Sequence, residues 1–283
     1  MTFYRLSIFV LFMMCLQTVT GQESNSQNSW FNDDIPEVIE NNQKIESQDP
    51  LDNTPITGKV FYDLTFYISN SEVEWLSLDA IRGDGEAAMR LMMHYGLAVH
   101  KRSESEYWTI IGAENGLDQA QMAYSDDIWD YRDTDTQKRA IFWLSLSART
   151  GYYYGVQGLK NLGFSTAVLP PDDNLYAYLE QSISLPEISY YKDGALRGSG
   201  TAALTLALHY QNMTSAEKEH EFWLRIGAQN GNIECQYNYG LILYMKDDYL
   251  NRERGLFWLH RAAKRGSVLA HQKIEQLTTI IHY

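Results

Sequence analysis

Seven histidines, two cysteines and several paired carboxylates are the residues of this chain that could do chemistry. Their spacing argues against it. His94 and His100 stand six apart and His260 and His271 eleven apart, so neither pair puts two imidazoles on one helical face at metal-ligand spacing. Glu219-His220-Glu221 is a charged run before Trp223 and not the HExxH of a zinc protease. Gly83-Asp84-Gly85 with Ala88 fits a relaxed GxGxxA, but no strand precedes it, so a nucleotide site is rejected. Gly163-Phe164-Ser165 is followed by Ala167 where a nucleophile elbow needs glycine. Asp126-Asp127, Asp172-Asp173 and Asp247-Asp248 fall at expected connections and read as solvated turns. No catalytic, cofactor-binding or metal-binding residue is assigned. The expectation is a protein that is not an enzyme and carries no cofactor.

The ends bound the rest. Arg5 and an apolar run from Leu6 to Leu16, then Val19 and Gly21 before Gln22, have the layout of a secretory signal peptide over residues 1–21. The run is short of the ~20 apolar residues of a spanning helix, so no membrane segment is expected after cleavage. The alternative, lipidation at Cys15, has Phe12, Met13 and Met14 as a poor lipobox. After cleavage only Cys235 remains. It reads as a small buried residue, because it fills a slot that other copies of a repeat give to Ala or Gly.

Residues 22–58 hold eight acidic residues against Lys44 alone, and three of the six prolines, which predicts a disordered acidic leader. Trp30 and Phe31 are its only large aromatics. The formal charge of −13 disfavours nucleic acid and anionic membrane surfaces as partners.

From residue 59 to 283 the chain repeats. Trp75, Trp108, Trp143, Trp223 and Trp258 are each followed five positions on by Ala80, Ala113, Ala148, Ala228 and Ala263, and eight positions on by Gly83, Gly116, Gly151, Gly231 and Gly266. Tyr190, Ala195 and Gly198 make a sixth copy. The anchors lie 33, 35, 47, 33 and 35 residues apart, the long interval holding an insertion at about 164–186 with Pro170-Pro171. Small residues one turn after the aromatic let a second helix approach closely, and glycine ends a helix in the left-handed region at little steric cost. Positions +12 and +16 then share one face of the next helix. Each unit is thus two antiparallel helices that bury their apolar face only by stacking, which predicts an all-α fold, an α-solenoid of stacked antiparallel helix pairs. Residues 60–68 are expected to form a first capping helix.

The runs Ala140-Ile-Phe-Trp143 to Thr150-Gly151 and Gly255-Leu-Phe-Trp258 to Ala262-Ala263-Lys-Arg-Gly266 resemble the Sel-one-like repeat, a relative of the tetratricopeptide repeat. Tyr239-Gly240 matches its Leu-Gly slot, and Tyr95 and Tyr210 its tyrosine; His220 and Ser105 replace its usual alanine. The resemblance implies a right-handed superhelical scaffold that binds another protein and does no chemistry. By the same analogy the second helices line the concave face, and Asp118, Met122, Tyr153, Gln157 and Tyr237 become partner-binding residues. Exported members include immunity proteins that neutralise type VI secretion phospholipase effectors. An exported, periplasmic scaffold of that kind, with a secreted toxin as partner, is the leading expectation. The alternatives are a cell-envelope assembly or host-contact factor, and a β-lactam-binding or hydrolase-type relative, whose paired cysteines this chain lacks.

Overall fold

The computed structural model describes residues 66–165, 167–176, 183–211 and 213–280. The signal segment, the leader and residues 60–65 of the expected capping helix lie outside these; Phe66–Ile68 are described and are not helical. Among the described residues there are twelve α-helices in six hairpins. They are α1 (Asn70–Arg82) with α2 (Gly85–Met93), α3 (Arg102–Asn115) with α4 (Asp118–Ile128), and α5 (Thr134–Arg149) with α6 (Tyr153–Asn161). Then come α7 (Leu185–Leu196) with α8 (Gly200–Gln211), α9 (Glu217–Gln229) with α10 (Ile233–Met245), and α11 (Tyr249–Lys264) with α12 (Val268–Ile280). The insertion holds a 3-10 turn, Asp173–Tyr176, and its last residues, Leu185 and Pro186, already belong to the first turn of α7.

The Trp-Ala-Gly spacing has a backbone cause. Gly83, Gly116, Gly151, Gly198, Gly231 and Gly266 all sit at positive φ, between 86° and 120°. In each, the glycine N–H donates to the carbonyl of the repeat alanine three residues earlier. At Gly116 and Gly231 the next N–H reaches back to the carbonyls of Gly112 and Gly227, completing a Schellman cap. Those two glycines also set the closeness of each hairpin. A Cβ on Gly112 would lie 2.9 Å from that of Ala120, and one on Gly227 would collide with Cys235 Sγ at 2.3 Å. Cys235 is therefore buried in a small-residue slot, and burial raises its thiol well above its usual range.

Trp108, Trp143, Trp223 and Trp258 are buried, but Trp75 is 48% exposed and Tyr190 49%. In the four buried cases the second helix of the preceding hairpin packs over the aromatic helix: α2 on α3, α4 on α5, α8 on α9, α10 on α11. No described helix precedes α1, and the insertion separates α6 from α7.

That parallel has a wider basis. The 33- and 35-residue intervals occur twice because residues 68–162 and 183–277 align without a gap at a constant offset, Ile68 with Ile183 through Leu162 with Leu277. Structural details follow the same offset. Ser69–Glu72 and Ser184–Glu187 form matching capping boxes on α1 and α7. Buried His94 and His209 each accept, at Nδ1, from the backbone N–H of Ile68 and Ile183, at 3.3 and 3.4 Å. The fold is two related halves of three hairpins each.

The junction between the halves is made twice. α5 meets α7, with Lys138 Nζ 2.8 Å from Asp193; equivalently α11 returns onto α1, with Arg82 Nε 2.7 Å from Glu253. The array of stacked hairpins therefore closes on itself.

Burial pulls the His94 imidazole down to about 4, with Lys101 adding to that and a hydrogen bond to the Phe66 backbone opposing it. The folded protein thus stays unprotonated there between about pH 6.5 and 4 while the unfolded chain binds a proton, so stability falls as pH drops through that window. In urea unfolding at pH 7 and pH 4.5, wild type should lose about 2 kcal/mol more than His94→Asn, which keeps an acceptor for Ile68 but does not titrate. Gly227→Val, which drives a branched side chain into Cys235, should cost about 3 kcal/mol in the same assay.

Candidate partner-binding surface and the arginine centre

The sequence-predicted contact residues separate once placed. Met122 is buried against Leu144, Ala148 and Leu159, which corrects its assignment to a contact surface. It fills the joint between successive second helices, a task any apolar side chain at that register performs. Its counterpart Tyr237 is half-buried over Ala262, Ala263 and Ala270, beside Ile233 and Ile274. Asp118 and Gln157 are half-buried on α4 and α6. Tyr153, at the start of α6, is 64% exposed. It stands edge-on to exposed Tyr154, ring centroids 5.2 Å apart, and Tyr154 in turn meets Tyr152 at 5.7 Å. Tyr152 itself turns inward to the α5–α6 cluster. The result is a braced pair of aromatic rings facing solvent.

The inside of the array differs from the analogy as well. First helices, not second ones, meet at the centre, around Glu114 near the C-terminal end of α3. Its carboxylate accepts from Arg254 Nη2 at 2.7 Å, Gln229 Nε2 at 2.6 Å and Arg225 Nε at 3.2 Å. Burial pushes this carboxyl up, but Arg225, Arg254 and the hydrogen bonds outweigh it and hold it below its ordinary value. The counterpart of Glu114 in the other half is Gln229, so the pseudo-two-fold axis passes between two residues that bond to each other.

Arg139 and Arg254 obey the same symmetry. Arg254 donates to Glu114 and to Asn115 Oδ1 (2.7 Å); Arg139 donates to the equivalent Gln229 Oε1 (2.7 Å) and Asn230 Oδ1 (2.6 Å). Each guanidinium lies over its own Phe-Trp pair, Arg139 at 4.1 Å from the Phe142 centroid and Arg254 at 4.0 Å from Phe257. Asn115 and Asn230 complete the pattern by donating to the carbonyls of Ala80 and Ala195. Burial draws Arg139 down to about 9, which leaves it charged at neutral pH.

One carboxylate among four arginines leaves positive charge in excess. The surplus faces helix C-termini, where carbonyls carry partial negative charge. Arg254 donates to Ile81 O and Arg261 to Glu114 O. The centre is thus internally compensated. A carboxylate held ionised by three donors has no proton to give and little basicity, so the site is built for cohesion and not for general acid–base work.

Other sequence-level suspects have structural tasks. Asp248 caps α11 by accepting from Asn251 N–H, and Asp173 accepts from Ser199 and from the Thr201 N–H at the start of α8. Among the described residues no group of three or more His, Cys, Asp or Glu could hold a metal ion.

The sequence reading missed the arginine centre. Its signal is the pattern Arg-x-x-Phe-Trp at Arg139–Trp143 and Arg254–Trp258. Glu114→Gln should cost about 3 kcal/mol in chemical denaturation, because it leaves buried arginines without their counter-charge. Adding Arg254→Met to that variant should recover more than half of the loss.

No family model matches the chain, and no curated protein matches it. Among solved structures it is similar to the crystal structure of a Sel1 repeat protein from Oxalobacter formigenes, at 18% identity and a TM-score of 0.28 over 74% of this chain. The match spans 60% of that protein's length. Six glycine-capped hairpins, with Trp or Tyr, Ala and Gly in a common register, make the described residues an all-α array of helical-hairpin repeats.

Proposed function

We propose that this protein is a non-catalytic scaffold that binds another protein through the outer surface of its second and third hairpins, at Tyr153 and Tyr154 with Asp118 and Gln157. The observation that carries it is the exposed, edge-to-face tyrosine pair on a rigid first turn of α6. Tyrosine buries a large ring at low entropic cost and keeps a hydroxyl for the rim of an interface, so such pairs make binding hot spots. The closed arginine centre supports the same reading, because its charges are spent on holding hairpins together.

The finer reading adds export and a target. The N-terminal layout favours export, and among the described residues no helix is long and apolar enough to cross a membrane. The scaffold then works in the periplasm as an immunity protein that caps a phospholipase effector of type VI secretion. The second reading is an envelope-assembly or host-contact factor.

Affinity capture from envelope extract, with and without candidate secreted lipases, separates the two. Wild type should bind and inhibit a lipase toxin, and Tyr153→Ala with Tyr154→Ala should weaken binding by more than about tenfold at unchanged thermal stability. Equal binding by the double variant would remove this surface from the proposal. Capture of envelope proteins alone would favour the second reading.

A further inference from the structure

The two halves are not finished alike. In the first, Gly163 ends α6 at φ +88°, with Phe164 N–H returning to Leu159 O. The chain then folds back and lays Phe164 and Ala167 on Met122, Leu144, Ala148 and Leu159. This extended stretch is pinned at both backbone groups of Val168. Its N–H donates to Ser145 Oγ at 3.1 Å, and its carbonyl accepts from Arg149 Nη2 at 2.8 Å. An aromatic side chain and a pinned strand of backbone thus cover the groove of hairpin three.

The equivalent positions on hairpin six are Tyr237, Leu259, Ala263 and Ile274, and the groove there is floored by Ala262, Ala263 and Ala270 and lined by Ile233, Tyr237 and Ile274. Thr278 stands where the first half has Gly163, and α12 continues as helix to Ile280 instead of turning back. Tyr237, Ile233 and Ile274 stay half-buried, and Val268 and Leu269 at the lip are 66% and 59% exposed. His260 and Lys264 take the places of Ser145 and Arg149. The same hairpin carries Lys264, Arg265 and Lys273. Among the described residues none of the three has a carboxylate at ion-pair distance; Arg265 donates to Gly231 O.

We propose that this groove seats the chain's own acidic leader, centred on Trp30-Phe31. The first half shows what such a groove holds: an extended segment with an aromatic anchor. The unpaired cations add a requirement for carboxylates. Within residues 22–58 the sole large aromatics are Trp30 and Phe31, and Asp33, Asp34 and Glu37 follow them directly. Position agrees, because α11 packs on α1, the helix into which the leader runs. The length of chain from Phe31 to Phe66 is enough to reach this face, so binding there is intramolecular. Lys264 takes Arg149's part toward a backbone carbonyl, and any external partner of hairpin six must displace the leader. The proposal is independent of the tyrosine surface on hairpin three.

Hydrogen exchange on the full chain tests it. The leader peptide around residues 28–36 should be protected about tenfold or more over an unstructured chain. Protection should vanish in Lys264→Glu with Lys273→Glu, in Trp30→Ala with Phe31→Ala, and in high salt, with helix content unchanged throughout. Carbodiimide coupling should join Asp33, Asp34 or Glu37 to Lys264 or Lys273 within one molecule. Unprotected leader in wild type overturns the proposal. So do couplings spread evenly over the surface lysines, or couplings found only between two copies.

Discussion

The fold depends on one buried contact, the grip of Arg254 on Glu114 beside Ile81 and Asn115. Hairpins that stack only on sequential neighbours leave two open ends. Here a guanidinium from the last hairpin reaches the ends of the first helices of hairpins one and two and ties the array shut. A buried ion pair of this kind is weak as a source of net stability, since desolvation offsets most of the attraction. Its value lies in what it forbids: with either partner gone, a charge is stranded among tryptophans, so only the closed arrangement satisfies the centre.

Duplication explains why that centre has the shape it has. Arg139 repeats Arg254, Asn230 repeats Asn115, and Gln229 repeats Glu114, so each half supplies the socket for the other's arginine. The symmetry is broken at the pair on the axis, and at Arg225 and Arg261, whose counterparts are Ile110 and Leu146. Two glutamates on the axis would repel at hydrogen-bond distance, and two glutamines would leave the arginines without any counter-charge. One of each gives a donor facing an acceptor and a single negative charge shared between Arg225 and Arg254.

The hairpins were legible because their signals are local. Glycine at positive φ, alanine beneath it and a buried aromatic a turn earlier each follow from chain geometry within about ten residues. The insertion too showed itself, through a long interval and two prolines. Trp75 and Tyr190 broke the pattern for a reason outside their own hairpins: among the described residues no preceding second helix packs over them. Closure and the arginine centre were hidden because their contacts join residues 90 to 173 apart, and no window along the chain contains both partners. The contact surface was half legible. Helical phase brought Met122 and Tyr237 to the same register, but whether that register faces solvent depends on how closely successive hairpins stack, which varies from joint to joint.

The repeated junction has a consequence for how the chain is made. During synthesis the first three hairpins emerge without the residues that complete them: Arg139 needs Gln229 and Asn230, and Glu114 needs Arg225 and Arg254. Until hairpins five and six leave the ribosome, a buried guanidinium and a buried carboxylate lack their proper mates, and the nascent half must stay loosely docked or borrow its equivalent from a neighbouring nascent chain. Two polypeptides exchanging halves would satisfy every contact of the centre, so domain-swapped dimers are the characteristic misassembly of this architecture, and crowding on polysomes is the condition that favours them.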